Sequence, residues 1–539
     1  MSTNVASTAH RRERSIDSSP TVRTVAPARG PPRPRIATPT SRTPARCAGA
    51  YYAAPVAEPF PSLLIRADAL VPQGAFAEAQ AEYLHPDPAA VGALTEALRA
   101  HDVGVVAHFY MDPQLQGVLS ASDWPHIHIS DSLVMADKAV AMVRAGARVI
   151  VVLGVDFMSE NVRAVLDAAG HADVPVYRVA SDPIGCSLAE SAEAPAYAAY
   201  LRRAAGTPKS LHVVYINTSL LTKARAHHVV PTITCTSSNV VQTILQAAAQ
   251  VPGIHVWFGP DTYMGHNLVE LFEGLAAMGD AAVHEVHPDH DAASLRSLLG
   301  RFHAFEQGVC VVHHMFGARV AERVRSELPD AFVTAHLEVP GEMFTLAVEA
   351  QRRGRGTVGS TSNILGFIAR KVADAVEAGR PARLPFVLGT EAGMITAIVR
   401  KTQALLRERG TSVEAEIIFP VAAEAIAATG DELLAVVPGV AAGEGCSVEG
   451  GCATCPFMKM NSLDALMDLL ASIGRDDPRA LDPFRSRQYL DVIDGRTVAD
   501  LGGEPIVHMR GLSTTGRVPE QLVQDILRRS VGHRRATTP

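Results

Sequence analysis

Three times along this chain a short β-branched run closes on a cluster of polar residues, and a hydroxyl cluster follows 22 to 24 residues further on. The runs end in His108-Phe109-Tyr110, Tyr215-Ile216-Asn217 and His336-Leu337-Glu338. The hydroxyl clusters are Asp131-Ser132, Thr236-Ser237 and Ser360-Thr361, each placed to open a helix. A strand ending in glycine comes next (Gly154, Gly259, Gly389), and each third also holds a cysteine, Cys186, Cys310 or Cys455, in an expected loop. One structural unit used three times, with matching polar groups at matching strand ends, restricts the fold more than any single motif does.

The apolar runs are Val103–Tyr110, Arg148–Val155, His212–Asn217, Ile254–Gly259, Gly308–His313, Ala331–Glu338, Pro385–Gly389 and Glu416–Pro420. Amphipathic stretches such as Ala89–Ala100, Ser132–Ala145, Asn239–Ala249 and Asn363–Ala378 lie between them. Continuous apolar strands alternating with helices predict parallel sheets covered on both faces, so the fold class is α/β. In such units ligands bind beyond the carboxyl ends of the strands. Three units facing one another would gather His108, Tyr110, Ser132, Tyr215, Asn217, Ser237, His336, Glu338 and Thr361 into one central pocket. Hydroxyls at helix N-termini, backed by free N–H groups and the helix dipole, suit a phosphate or carboxylate. Taken singly, Ser132 and Ser237 read as helix caps and His336 as a satisfied core histidine.

Charge and composition exclude several classes. Forty-nine basic side chains against 56 acidic ones give a net charge of −7, the wrong sign for a general nucleic-acid binder. Aromatic residues make up 5%, too few for a stacking platform. No apolar run reaches the roughly 18 residues of a membrane span. Seven cysteines in 539 residues are not a disulfide scaffold. They point to a reducing compartment, and a cytoplasmic location is expected. Residues 1–50 carry nine arginines and only two acids. That opening reads as a disordered tail or an over-long start. An organelle-targeting peptide is the sharper alternative, but the prolines at 20, 26, 31, 32 and 34 count against its amphipathic helix.

The cysteines divide. Cys235 ends a Thr-rich run and reads as a small buried residue; Cys47 lies in the tail. Cys446 and Cys452 flank Cys455 and read as structural or as a redox pair. A zinc ribbon would need a second Cys pair, which is missing at the usual spacing. Cys455 precedes a proline, as cluster-binding cysteines often do. With one thiol from each repeat, Cys186, Cys310 and Cys455 could meet on the pseudo-threefold axis. Three thiolates on a four-iron cluster leave one iron open as a Lewis acid.

At this level of detail the chain from about 63 to 475 resembles the quinolinate synthase (NadA) family. The motifs, in the family's order, are Ala107-His108-Phe109-Tyr110, Ser130-Asp131-Ser132-Leu133, Gly154-Val155-Asp156-Phe157-Met158, Cys186-Ser187-Leu188, Val214-Tyr215-Ile216-Asn217-Thr218 and Cys235-Thr236-Ser237-Ser238-Asn239. They continue with Gly259-Pro260-Asp261, Cys310-Val311-Val312-His313, Gly359-Ser360-Thr361-Ser362, Gly389-Thr390-Glu391 and Cys455-Pro456-Phe457-Met458-Lys459-Met460-Asn461. The resemblance implies three pseudo-symmetry-related, three-layer αβα domains set in a triangle around a central [4Fe–4S] cluster. The boundaries expected are 61–205, 206–326 and 327–460, after a tail (1–60) and before a helical segment (461–539). It implies condensation of iminosuccinate with dihydroxyacetone phosphate to quinolinate, phosphate and water, in NAD biosynthesis. A functional link to an L-aspartate oxidase or an aspartate dehydrogenase follows, with no nucleic-acid or membrane partner.

Carried over by motif, Cys186, Cys310 and Cys455 are the cluster ligands. His108, Ser132, Tyr215, Ile216, Asn217, Ser237, His336, Leu337, Glu338 and Thr361 are the substrate contacts. Tyr110, His336 and Glu338 are the candidates for proton transfer. The chain departs from the family in having His336-Leu337-Glu338 for His-Pro-Glu and Pro260-Asp261-Thr262 for Pro-Asp-Lys; residues 280–300 look like an insertion. Two other classes compete: a cluster-dependent hydro-lyase acting on a hydroxy acid, and a non-enzymatic redox- or metal-responsive binding protein.

Overall fold

The computed structural model describes residues 59–409, 412–421, 454–475 and 477–536. Cys47, Cys446 and Cys452, and the expectations attached to them, lie outside the described residues. The chain opens with a hairpin, β1 (Ser62–Ile65) and β2 (Leu70–Gln73). Three groups of four strands follow: β3 (Val103–His108), β4 (Ile127–Ser130), β5 (Val149–Leu153) and β6 (Val176–Arg178); β7 (Ser210–Tyr215), β8 (Thr232–Cys235), β9 (His255–Gly259) and β10 (Phe302–Ala304); and β11 (Phe332–His336), β12 (Gly356–Gly359), β13 (Ala382–Gly389) and β14 (Val413–Ile418).

Each group forms one parallel sheet, and the strand order is the same in all three: second, first, third, fourth. The register repeats too. His108 lies opposite Ser130, Tyr215 opposite Cys235 and His336 opposite Gly359. On the other side, Ala107 faces Leu153, Val214 faces Gly259 and Ala335 faces Gly389. The expected α/β architecture is therefore present, in three copies that agree to the residue. Strand 1 connects outward to strand 2 on one side and the chain then crosses to strand 3 on the other. Right-handed crossovers put those helices on opposite faces and leave a crevice at the carboxyl end of strand 1.

The first strand of each sheet is central, and its sequence shows it. Both β3 (VGVVAH) and β7 (SLHVVY) are buried along their whole length. Each fully buried Val or Leu there contributes roughly 1.5–3 kcal/mol. The hairpin extends the third sheet: β1 pairs antiparallel with β14, and β2 forms the edge. Pro72 sits in that edge strand, where a missing N–H costs least.

One expectation shifts. Gly308–His313 is not a strand but a loop entering a 3-10 turn at His313–Met315, and β10 is the fourth strand instead. Val311 and Val312 are buried by packing rather than by pairing, a distinction that a short apolar run does not carry. Residues 280–300 form two helices, Asp280–Val286 and Ala292–Leu299, within the crossover from β9 to β10. No helix among the described residues is long and apolar enough to cross a membrane.

After the last sheet, helix Val498–Thr515 packs along helix Leu220–Val229 and β8. Gly502 allows the approach, since a Cβ there would collide with the Leu220 carbonyl.

Candidate active site

A cavity of about 80 Å³, open in part to solvent, lies where the carboxyl ends of the three first strands meet. His108 and Tyr110, Tyr215, Ile216 and Asn217, and His336 and Glu338 all line it. Ser132, Ser237, Thr361 and the three cysteines line it as well. Of the residues singled out from sequence, Leu337 alone is outside the lining. It lies in the turn that follows β11 and packs in the apolar core.

Glu338 is the hub. It is 3% exposed and takes hydrogen bonds from the Tyr215 hydroxyl and from His313 Nδ1 (3.1 Å). Burial by itself would raise this carboxyl. The imidazoles of His313 and His336, with the hydrogen bonds from His313 and Tyr215, outweigh burial and bring it down to about 2. A carboxylate only accepts, so His313 Nδ1 carries the proton. The other His313 nitrogen meets Thr390 Oγ1 at 3.3 Å, and Thr390 meets the Tyr110 hydroxyl at 3.2 Å. A chain Tyr110–Thr390–His313–Glu338–Tyr215 thus crosses the cavity and draws on all three repeats.

His108 and His336 are held alike. Each Nδ1 accepts the backbone N–H two residues on, from Tyr110 and from Glu338, both at 3.3 Å. The proton of each neutral ring is thereby placed on Nε2. For His336 that atom faces Ser237 Oγ at 3.2 Å. Burial pushes His336 down to about 3 and His108 to about 4. Burial also raises the phenols of Tyr110 and Tyr215 well above the usual tyrosine range. At neutral pH Glu338 is therefore a carboxylate, His108 and His336 are neutral imidazoles, and Tyr110 and Tyr215 are protonated phenols.

The hydroxyl residues behave in two ways. Ser132 and Thr361 are the first residues of helices Ser132–Arg144 and Thr361–Ala378. Ser360, not Thr361, caps the second, in a reciprocal box with Asn363, so the Thr361 hydroxyl stays on the cavity. Ser237 precedes its helix (Val240–Gln250) by a turn that Asn239 closes on the Thr236 N–H at 2.8 Å.

Each cysteine follows the fourth strand of its sheet and opens a short helical turn. The sulfur of Cys186 faces the N–H groups of Leu188 and Ala189, that of Cys310 the N–H of His313, and that of Cys455 those of Phe457 and Met458. Burial raises all three thiols, Cys186 to about 11 and Cys455 to about 12. Charge on Cys310 is further opposed by Glu338 and then by Cys455 and Cys186, so the three sulfurs form one group. Three buried thiols aimed at N–H donors are a donor set that fits a metal cluster. Their loops are tied together: Ser187 Oγ donates to the Val309 carbonyl (2.9 Å), and the Cys455 N–H donates to Glu391 (3.1 Å). Thr262, standing where the family has lysine, accepts the Gly308 N–H at 3.0 Å and so braces the Cys310 loop. Cys235 is fully buried at the end of β8.

Sequence reasoning did not single out His313, Thr390, Glu391, Asp131 or Asp261. His313 and Glu391 sit inside motifs already noted, three residues after Cys310 and two after Gly389; that position was the available signal. Asp261 caps helix Thr262–Met278 through the Met264 N–H at 2.6 Å. Buried next to Glu338, it is raised well above the carboxylate range by burial and then by that neighbour.

A parallel α/β scaffold with a shared cavity at the strand ends, walled by three thiols and a buried carboxylate, is the pocket of an enzyme. Comparison with known proteins agrees. The family described as "Quinolinate synthetase A protein" matches residues 93–477, and the chain belongs to that family, whose enzymes serve NAD biosynthesis. A quinolinate synthase named chloroplastic from Nicotiana tabacum is 55% identical over 486 residues, 88% of this chain and 67% of its own. The one from Arabidopsis thaliana, also named chloroplastic, is 53% identical over 487 residues, 88% of this chain and 68% of its own. A quinolinate synthase from Cyanothece sp. is 26% identical over 310 residues, 58% of this chain and 74% of its own. Membership sets the non-enzymatic alternative aside. The expected cytoplasmic location is overturned: the plant relatives from tobacco, rice and Arabidopsis are all named chloroplastic.

Proposed function

We propose that the cavity condenses iminosuccinate with dihydroxyacetone phosphate to quinolinate, phosphate and water. What carries this reading is the meeting of three cysteines, one from each repeat, with the strand-end acid–base groups in one cavity. A [4Fe–4S] cluster held by Cys186, Cys310 and Cys455 would supply one iron without a protein ligand, a Lewis acid for a substrate oxygen. The chain's own residues do the rest. Glu338, ionised and buried, is the base that accepts the proton lost when the triose phosphate enolises. Tyr110 and His336, both protonated on the atom facing the cavity, are the donors for the departing oxygens. Ser132, Ser237 and Thr361, at or just before helix N-termini, take the carboxylates and the phosphate. His108, Tyr215, Ile216 and Asn217 complete the substrate contacts. Burial of these groups keeps bulk water from competing.

The imine is short-lived, so an L-aspartate oxidase or aspartate dehydrogenase is the fitting source. We also propose that the Arg-rich opening directs the chain to a plastid; fusing residues 1–58 to a fluorescent protein in plant cells tests this, and cytosolic fluorescence would refute it. The reaction is tested by purifying the protein without oxygen, counting iron and sulfide, and supplying both substrates. A pyridine dicarboxylate is expected. An iron-loaded protein that instead dehydrates a hydroxy acid alone would establish the hydro-lyase alternative.

A further inference from the structure

Each strand-end triplet has the same requirement. Its outer residues line the cavity, so its middle carbonyl must find a partner elsewhere. That carbonyl is met each time by a buried side-chain donor. Gln116 Nε2 lies 3.0 Å from the Phe109 oxygen, Lys223 Nζ 3.1 Å from the Ile216 oxygen, and Asn267 Nδ2 2.9 Å from the Leu337 oxygen. Lys223 also bonds the Thr218 carbonyl, and Asn267 the Val339 carbonyl at 2.8 Å. None of the three donors is more than 1% exposed.

The placement follows the repeat and then breaks it. Gln116 and Lys223 are each seven residues past the carbonyl they hold. Each is the fourth residue of the helix after the first strand, Pro113–Ala121 and Leu220–Val229. In the third repeat the same position of helix Gly341–Arg352 is Phe344, fully buried and without a donor. There the donor comes from the preceding repeat, on helix Thr262–Met278. Sequence position changes while the bond is kept.

We propose that Gln116, Lys223 and Asn267 are positioning residues: each turns the middle carbonyl of one triplet into the protein, which aims the flanking side chains at the substrate and keeps a negative dipole off an anionic ligand. Lys223 gives the strongest case. A buried ammonium is costly unless fully partnered, and here it spends two of its protons on this one loop. Burial brings its pKa down to about 7, and Glu160 is the first charge that opposes that fall. That carboxylate is itself occupied by the Leu220 N–H (2.8 Å) and the Tyr489 hydroxyl (3.0 Å).

The kinetic part of the inference rests on the synthase reading; the structural part does not. The test is hydrogen–deuterium exchange on the anaerobically purified full chain, wild type against Lys223→Met and Asn267→Leu, with steady-state kinetics alongside. Exchange in peptide 215–219 should quicken about tenfold in Lys223→Met, roughly 1.4 kcal/mol, with peptides around 108–111 and 336–339 unchanged. Asn267→Leu should show the complementary pattern at 336–339. Lys223→Gln restores an N–H donor without charge and should recover most of the lost kcat/KM. If Lys223→Met fails to fold, Gln116→Met carries the same test at Phe109 by a swap of similar volume. Exchange that rises equally in all three triplets, or in none, overturns the proposal, as does a Lys223→Gln variant as impaired as Lys223→Met. A wild type that makes no pyridine dicarboxylate would refute the synthase reading, while the exchange pattern would still decide the clamps.

Discussion

On one wall of the cavity His108, Tyr215 and His336 end their strands in equal register in three sheets. Beside that wall rather than across from it, Cys186, Cys310 and Cys455 follow their sheets at unequal distances in sequence, and ligand atoms of Cys310, His313 and Glu338 lie within 4.8 Å of one another. Cys186 and Cys310 follow β6 and β10 closely, whereas Cys455 comes only after residues 422–453, which lie between it and β14. The first wall is positioned by backbone pairing, which leaves little freedom. The second is positioned by cross-ties between loops, Ser187 to Val309 and Cys455 to Glu391. The proposed acid–base groups sit on the rigid wall, and the proposed metal ligands, which a metal could pull into place, sit in the other set.

If the walls are separate in this sense, variants should divide between iron and turnover. Cys310→Ser should have the largest effect, removing most of the bound iron and all measurable turnover, with Cys235→Ala keeping its full iron content. Iron and sulfide analysis decides it, and equal iron in both variants would break the division. Glu338→Gln should come next, lowering kcat by roughly 10²–10⁴-fold while iron stays bound. Loss of iron from this variant would mean that the hydrogen-bonded wall also holds the metal.

The third expectation concerns acid. His108 and His336 are neutral in the fold but protonate at the usual histidine value of 6.5 once unfolded. The unfolded chain binds more protons, so stability falls as pH drops below about 6.5 toward 4. Glu338 has its folded value depressed, so its contribution is present above 4.5 and is lost as pH falls toward about 2. Denaturant titrations should show His336→Gln with a shallower decline between pH 6.5 and 4 and Glu338→Gln with a shallower decline below pH 4.5. The smallest effect is expected from Ser360→Ala, which removes the cap of helix Thr361–Ala378 at a cost of about 1 kcal/mol, read as a lower denaturation midpoint with iron unchanged.

The repeated wall was legible in the sequence because period and polarity coincide: an apolar strand closing on a polar pair can hardly be packed another way. The cysteines were legible as a set of three, one per repeat. His313 was not, because a histidine beside apolar valines carries no period; only the fold shows it bonded to Glu338 and Thr390. Leu337 was named with its neighbours by motif, although it packs in the apolar core. The loop at Gly308–His313 misled because buried apolar residues look the same whether or not their backbone pairs. Asn267 lay beyond sequence reasoning, since nothing local links it to a carbonyl seventy positions away.

Helix Val498–Thr515 lies past the end of the family match at 477, yet it packs along the same helix that carries Lys223. Tyr489 reaches the carboxylate that holds the start of that helix. A chain trimmed to its recognisable family portion would therefore lose the floor under one third of the cavity, and what looks like an appendage is part of the frame on which the middle triplet stands.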